Sequence, residues 1–273
     1  MIFSDLALSR RLENAEGYAC AQFAEVRRRR FPDSGSEWIQ CAGATVVFDG
    51  IESPTTQTFG LGLFEELSVT ALEQIESFFV ERGTSVLHEV SPMAGATTLD
   101  LLCARNYRPF EISNVLYRTV EKPDSKITGG IRVRIVEPEE AQLWSSVNAR
   151  GWTHEHPELA SFVEEAGVLC VAREQSPCFL AEFDGRAAAA GVLCVHDGVA
   201  LFGGSATIPE LRGRGLQSAL LEERMRYALQ AGCDLAMMVA EAGSNSQRNA
   251  ERKGFRVAYT RLKWRLPLPE APA

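Results

Sequence analysis

The sequence has no apolar run approaching the ~20 residues needed to cross a bilayer, so no membrane span is expected. Met1-Ile-Phe-Ser-Asp5 lacks the charged-then-apolar plan of a signal peptide, which predicts a cytoplasmic protein. Basic residues are not in surplus: 28 Lys and Arg against 36 Asp and Glu leave a formal net charge of -8. Nonspecific nucleic-acid binding has the opposite electrostatic footprint and is not expected. Histidine is scarce, at 4 residues, and none of the 7 cysteines forms a CxxC pair. Cys20, Cys41, Cys103, Cys170, Cys178, Cys194 and Cys233 are scattered, with no two ligands at zinc spacing. No metal is therefore expected, and the odd count reads as reduced, mostly buried thiols.

What is present is the composition of a globular protein, 45% hydrophobic and 23% charged, long enough for one large or two ordinary domains. Residues Leu6 to Arg30 are helical in character and end in four consecutive arginines, cations that sit well at a helix C-terminus. Ala44-Thr-Val-Val-Phe48 and Gln57-Thr-Phe59 have the β-branched content and turn punctuation of strands. Leu67, Ala71, Ile75 and Phe78 then recur at helical spacing, and Gly83 closes that helix. A strand at Ser85–Val90, a helix near Thr98–Arg105 and a strand at Asn114–Val120 complete the first half. Lys122-Pro-Asp-Ser125 and Gly129-Gly130 form a breaker-rich linker, which divides the chain into expected domains at 1–126 and 131–273.

The second half opens with a strand, Ile131–Val136, and two helical stretches, Pro138–Arg150 and Pro157–Glu165. Strands are expected at Val168–Ala172, Cys178–Phe183 and Ala188–Val195, with Asp184-Gly185 as a hairpin turn. Val199-Ala-Leu-Phe202 is extended, a helix begins just after Gly215 and ends at Gly232, and Leu235–Ala240 is a buried strand. A helix at Ser246–Arg252 and a strand at Ala258–Leu266 end the pattern. The succession helix, Gly83, strand, helix, Asn106-Tyr107, strand in the first half recurs around Gly232 and Gly254-Phe255 in the second, in register to within one residue. The halves read as two copies of one α/β fold.

The most informative stretch is Ile208-Pro-Glu-Leu-Arg212-Gly213-Arg214-Gly215-Leu216-Gln217-Ser218. Glycines permit a tight turn and close approach of a ligand to the backbone. Free N–H groups at a helix start, with Arg212 and Arg214 beside them, suit a phosphate or pyrophosphate, or else the stretch is an ordinary turn with two solvated arginines. There is no third glycine for a dinucleotide fingerprint and no Gly-Lys-Ser/Thr for a P-loop. Against this stretch the first copy places Leu63-Phe64-Glu65-Glu66, whose carboxylates would repel a phosphate. The first copy is therefore expected to bind no anion and to serve as a scaffold, a lid or a homodimer surface.

With these residues in hand, the second half resembles the GNAT superfamily of acyl-CoA-dependent N-acyltransferases. The family fingerprint Arg/Gln-x-x-Gly-x-Gly/Ala is met at Arg212 and Gly215 and departs at Gln217; Ser246 to Phe255 resembles the family's later helix and Gly-Phe pair. The resemblance implies an α/β fold with a mixed sheet, here two tandem GNAT-like copies, of which the first is degenerate. It implies that acetyl-CoA is held by the main chain of Arg212 to Gln217, by Ser218, and by the strand end Ala206-Thr207-Ile208, with Ser246 and Asn249 nearby. Neighbouring N–H groups would polarise the thioester carbonyl while an amine of a small molecule or peptide attacks. Many members carry a tyrosine where this chain has Ala250, so Ser246 becomes the candidate for the thiol side and Tyr259 the fallback donor. Ser246 is equally suited to capping its helix. Glu241, at a strand end, and Glu155, in the expected substrate loop, are the candidate bases, with a water chain off backbone carbonyls as a third route, and Trp152, His154 and His156 fall where the family places its acceptor-binding segment. A noncatalytic acyl-CoA-binding or sensing protein fits the missing tyrosine, and a nucleotide-binding regulator is a third reading.

Overall fold

Asp5 starts the first helix by accepting the Leu8 N–H on its carboxylate at 2.9 Å. Helix α1 (Leu6–Arg30) buries Leu8, Leu12, Ala15 and Ala19 on one face. Its terminal arginines meet carboxylates, Arg27 with Asp49 and Arg28 with Glu25, each at 2.8 Å. The computed structural model describes residues 2–51, 53–123, 129–154, 157 and 160–268. These fall into two units, Met1–Tyr117 with Val239–Ala273, and Arg118–Met238.

In the first unit, β1 (Glu37–Cys41), β2 (Ala44–Phe48) and β3 (Gln57–Phe59) form an antiparallel meander. Helix α2 (Val69–Val80), capped by the Ser68 hydroxyl, then carries the chain to β4 (Val86–Val90), which runs parallel to β3. Leu67, Ile75 and Phe78, three of the four helical-spacing residues, lie in the core with Leu72, Phe79, Val86 and Leu102, and Ala71 packs against it. Helix α3 (Gly95–Ala104) leads to β5 (Arg108–Thr119). Two later elements belong to this unit as well: α7 (Asn245–Arg252) and β11 (Arg256–Leu266). β11 lies between β4 and β5, antiparallel to both, with Trp264 opposite His88 and Thr260 opposite Asn114.

On the α1 side of that strand Arg261 is 1% exposed and ion-paired with Glu13, Glu16 and Glu89. Burial raises the pKa of Glu13 and of Glu89, against the pull of Arg261. Such a group is costly to desolvate, and removing one partner strands the others in an apolar setting.

The second unit repeats the plan. β6 (Ile131–Ile135), β7 (Cys178–Phe183), β8 (Arg186–His196) and β9 (Val199–Thr207) are antiparallel neighbours, and β10 (Leu235–Glu241) begins here, parallel to β9. Helix α6 (Leu216–Gln230) crosses from β9 to β10, as α2 crosses from β3 to β4. The β7–β8 hairpin turns at Asp184-Gly185, both at positive φ (49° and 78°). Two helices, α4 (Ala141–Trp152) and α5 (Ala160–Val171), follow β6.

The strand expected at Val168–Ala172 is instead the last turn of α5. A short apolar run suits either state by periodicity, and packing decides it. A Cβ built on Gly167 would come within 2.5 Å of the Ser145 hydroxyl, so helix pairs closely with helix at that point. No disulfide joins the cysteines among the described residues; Cys41, Cys170, Cys178, Cys194 and Cys233 are buried, and Cys103 is exposed. Among the described residues no helix is long and apolar enough to cross a membrane.

Candidate active site

The site is built on an irregularity in β9. Ala190 pairs with Ala206 and Val192 with Gly203, so β9 holds an extra residue and bulges at Gly204, whose φ is 52°. The parallel register with β10 covers Val199–Leu201, and β9 runs on to Thr207 paired with β8. Its other edge beyond the bulge thus presents main-chain groups that no β10 register takes up among the described residues. Arg224 of α6, 1% exposed, holds this shape: its Nη1 donates to Val192 O (3.0 Å) and Gly203 O (3.2 Å), and its Nε to Leu220 O (3.2 Å). Burial pulls the Arg224 pKa down to about 9, so it remains a cation at neutral pH.

Helix α4 is keyed to the same bulge. Asn148 donates to Gly204 O, and a Cβ on Gly151 would meet Ala206 Cβ at 2.6 Å and Thr207 N at 2.9 Å. Only a glycine lets the helix end approach the strand so closely. Trp152, the last residue of α4, is 56% exposed, and His154 is exposed. Glu155 and His156 lie outside the described residues.

After Ile208 a 3-10 turn (Pro209–Leu211) leads into the glycine stretch. Gly213 and Gly215 adopt φ of 77° and 85°, in the region that glycine alone enters without strain. Gly215 is the N-cap of α6 and has no side-chain cap, and Ala219 N donates to Gly215 O at 3.0 Å. The N–H groups of Leu216, Gln217 and Ser218 therefore precede any intrahelical acceptor and carry the positive end of a 15-residue helix. A Cβ on Gly213 would meet nothing within 4 Å, and one on Gly215 only Ile131 Cδ1 at 3.9 Å. Uncapped donors at a helix start, with room for a side chain at both glycines, suit a phosphate or pyrophosphate.

Some of the expected donors are engaged within the unit. Arg212 N donates to Pro209 O and Ile208 N to Ala188 O, so these two N–H groups are not available to a ligand and the candidate donors start at Gly213. The Arg212 guanidinium donates to Gly151 O (3.0 Å) and Thr207 O (3.4 Å), tying the loop to α4 and β9. Arg214 stacks on Phe183 at 5.0 Å. Gln217, where the family fingerprint has a small residue, donates from Nε2 to the Thr207 hydroxyl at 2.8 Å. Its side chain thus turns back to the strand end.

Glu241, Ser246, Asn249 and Tyr259 belong to the first unit. Glu241 ends β10 and is exposed; Ser246 and Asn249 lie on α7 and are exposed. The cap of α7 is Ser244, whose hydroxyl accepts the Gln247 N–H at 3.2 Å, so the helix starts one residue earlier than expected and Ser246 is not its cap. Ala250 is 1% exposed. Tyr259 is 6% exposed and its hydroxyl donates to Glu13 at 2.9 Å; burial, then the Glu13 charge, raises its pKa well above the ordinary range. Sequence reasoning missed Arg224, Gly151 and Asn148. Arg224 had a signal, because it falls on the helical face marked by Leu216, Leu220 and Ala228, where a core residue belongs.

Residues 141–255 match the model of the Acetyltransferase (GNAT) family, so this segment is a GNAT acetyltransferase domain, and the chain as a whole has the tandem GNAT fold. A GCN5-related N-acetyltransferase from Kribbella flavida is similar at 17% identity and a TM-score of 0.65, over 93% of this chain and 96% of that one. A tandem GNAT protein from the clavulanic acid biosynthesis pathway is similar at 12% identity and a TM-score of 0.58, over 99% and 98%. A functionally unknown conserved protein from Staphylococcus epidermidis is similar at 8% identity and a TM-score of 0.60, over 89% and 98%. No curated protein matches the sequence. At these identities the solved structures carry the fold, and the family match carries acyl transfer as the general activity.

Proposed function

We propose that the protein is an N-acetyltransferase that moves the acetyl group of acetyl-CoA to an amine of a small molecule or peptide, with residues 1–126 and 131–273 as its two tandem copies. The observation that carries this reading is the uncapped start of α6 behind two left-handed glycines, beside the bulged edge of β9. The N–H groups of Gly213 to Ser218 would hold the pyrophosphate, and the main chain of Ala206 and Thr207 would pair with the pantetheine arm. Acetyl-CoA supplies an activated acyl thioester. Glu241 would take a proton from the amine, Ser246 would stand by the thiol with Asn249 near it, and Trp152 and Glu155 would line the acceptor side. With the Tyr259 hydroxyl given to Glu13, Ser246 is the preferred proton donor.

The test is thiol release on mixing the protein with acetyl-CoA and a panel of amines. Turnover with one amine class, absent without protein, supports the proposal. Binding of CoA with no turnover across small amines, polyamines and peptide N-termini would favour the noncatalytic acyl-CoA-binding alternative, which Ala250 in place of the usual tyrosine already motivates.

A further inference from the structure

The loop between β10 and α7 carries the two residues proposed for proton transfer, Glu241 before it and Ser246 after it, and Gly243 within it adopts a φ of 78°. Nothing lies within 4 Å of a Cβ built at Gly243, so side-chain packing does not fix the turn there. A chain of hydrogen bonds does. Gly243 N donates to Gln247 Oε1 at 2.8 Å. The same oxygen accepts from Asn114 Nδ2 at 3.0 Å, and Asn114 Oδ1 accepts from the Thr260 hydroxyl at 2.6 Å. Gln247 Nε2 donates on to Glu251 at 2.8 Å.

The polarity of this chain is set at its ends. A main-chain N–H can only donate, so Gln247 must present its oxygen to Gly243 and its amide nitrogen to the Glu251 carboxylate, which only accepts. Asn114 must then present its amide nitrogen to Gln247 and its oxygen to Thr260. Asparagine is the side chain of this length that supplies one donor and one acceptor on a single planar group. Asn114 is also 7% exposed and sits on β5, beside β11, so its orientation is fixed by the sheet. Gln247, by contrast, is on the first turn of a short helix.

We infer that Asn114, from the degenerate first half of the sequence, is a positioning residue that fixes the β10–α7 loop of the second half through Gln247. This gives the first half of the sequence a task in the second half's chemistry. The inference rests on the proposed function for its kinetic consequence, but its structural content stands apart from it.

The experiment compares wild type with Asn114→Leu, Asn114→Ser, Gln247→Leu and the double variant Asn114→Leu/Gln247→Leu. Leucine keeps the branching and heavy-atom count of Asn114 but is bulkier, and it removes both bonds; serine, smaller and too short to reach Gln247, removes the Gln247 bond without overpacking and serves if leucine prevents folding. The first readout is amide exchange at Gly243 by NMR, expected to accelerate by roughly tenfold in each single variant, the equivalent of about one buried hydrogen bond. The second is kinetics: kcat is expected to fall by roughly tenfold while the dissociation constant for CoA stays within about twofold, because the cradle residues belong to the other unit. The third is coupling, since the double variant should be no worse than either single one. Unchanged exchange at Gly243, or additive losses in the double variant, would overturn the inference. A wild type without turnover would refute the proposed function while leaving the exchange and coupling readouts to decide this one.

Discussion

Replacing Gly215 with glutamate separates the cradle's chemistry from its folding. The residue has a φ of 85°, where a side chain costs about 1–2 kcal/mol. Space is not the obstacle, since the new Cβ meets only Ile131 Cδ1 at 3.9 Å, an ordinary contact. A carboxylate at the start of α6 also gains about 0.3–1 kcal/mol from the helix dipole. The net loss of stability should be about 1 kcal/mol, a fall in Tm of a few degrees. Ligand binding should suffer far more. A carboxylate about 5 Å from a phosphate charge, at an effective dielectric near 20, is repelled by roughly 3 kcal/mol, which is more than a hundredfold in affinity. The assay is calorimetric titration with CoA at low salt and at about 0.5 M salt, with Gly215→Ala as the control that keeps the backbone cost and lacks the charge. Glutamate should abolish measurable binding, alanine should weaken it by tenfold or less, and salt should narrow the gap between them. CoA binding to the glutamate variant at near wild-type affinity would refute the assignment of α6 as the pyrophosphate site. Equal losses in both variants would refute the charge argument and leave backbone shape as the cause.

Three further outcomes follow from the geometry. Gly151→Ala would place a methyl group 2.6 Å from Ala206 Cβ and 2.9 Å from Thr207 N; overpacking of about 1–3 kcal/mol exceeds the helix-propensity gain of about 1, so Tm and CoA affinity should both fall, and an unchanged melting curve would sink the close-packing claim. Ser246→Ala should lower kcat by about a hundredfold with little change in CoA affinity if this hydroxyl moves a proton, and an unchanged kcat across the pH profile would remove it from the mechanism. His88 is fully buried, both ring nitrogens lack hydrogen-bond partners among the described residues, and burial pulls its pKa down to about 3. Below about pH 6.5 the unfolded chain binds a proton at this position that the folded chain refuses, so stability falls as pH falls; between pH 7 and 5 the loss should be about 2 kcal/mol. Denaturant titrations of wild type and His88→Gln at the two pH values measure it, and equal acid sensitivity in both proteins would show that His88 is not its source.

Much of the local structure was legible because local rules govern it. α1, β2, β3 and β7 fall where capping, β-branched runs and turn residues put them, and the Asp184-Gly185 hairpin needed only its two positive-φ residues. β1 was not expected, since Glu37-Trp-Ile-Gln-Cys41 has neither strict alternation nor β-branched enrichment; it is a strand because β2 pairs with it. Val168–Ala172 was misread as a strand because a short apolar run has no period of its own. Within the candidate site, the glycine turn before a helix was legible, yet the engagement of Arg212 with Gly151 and Thr207 was not, because its partners lie in α4 and β9.

The sequence by itself determined most of the local elements and the glycine turn before α6. Spacing, turn chemistry and the glycine requirement at Gly213 and Gly215 are properties of short segments, readable one at a time. Only the tertiary structure decided that α7 and β11 pack with residues 1–117, that Arg224 holds the β9 bulge, and that the Tyr259 hydroxyl is given to Glu13. Each of these depends on which strand pairs with which across a long sequence separation. Hydrogen-bond donors and buried charges take whatever partner the packed sheet brings within about 3 Å, and no local pattern encodes that partner.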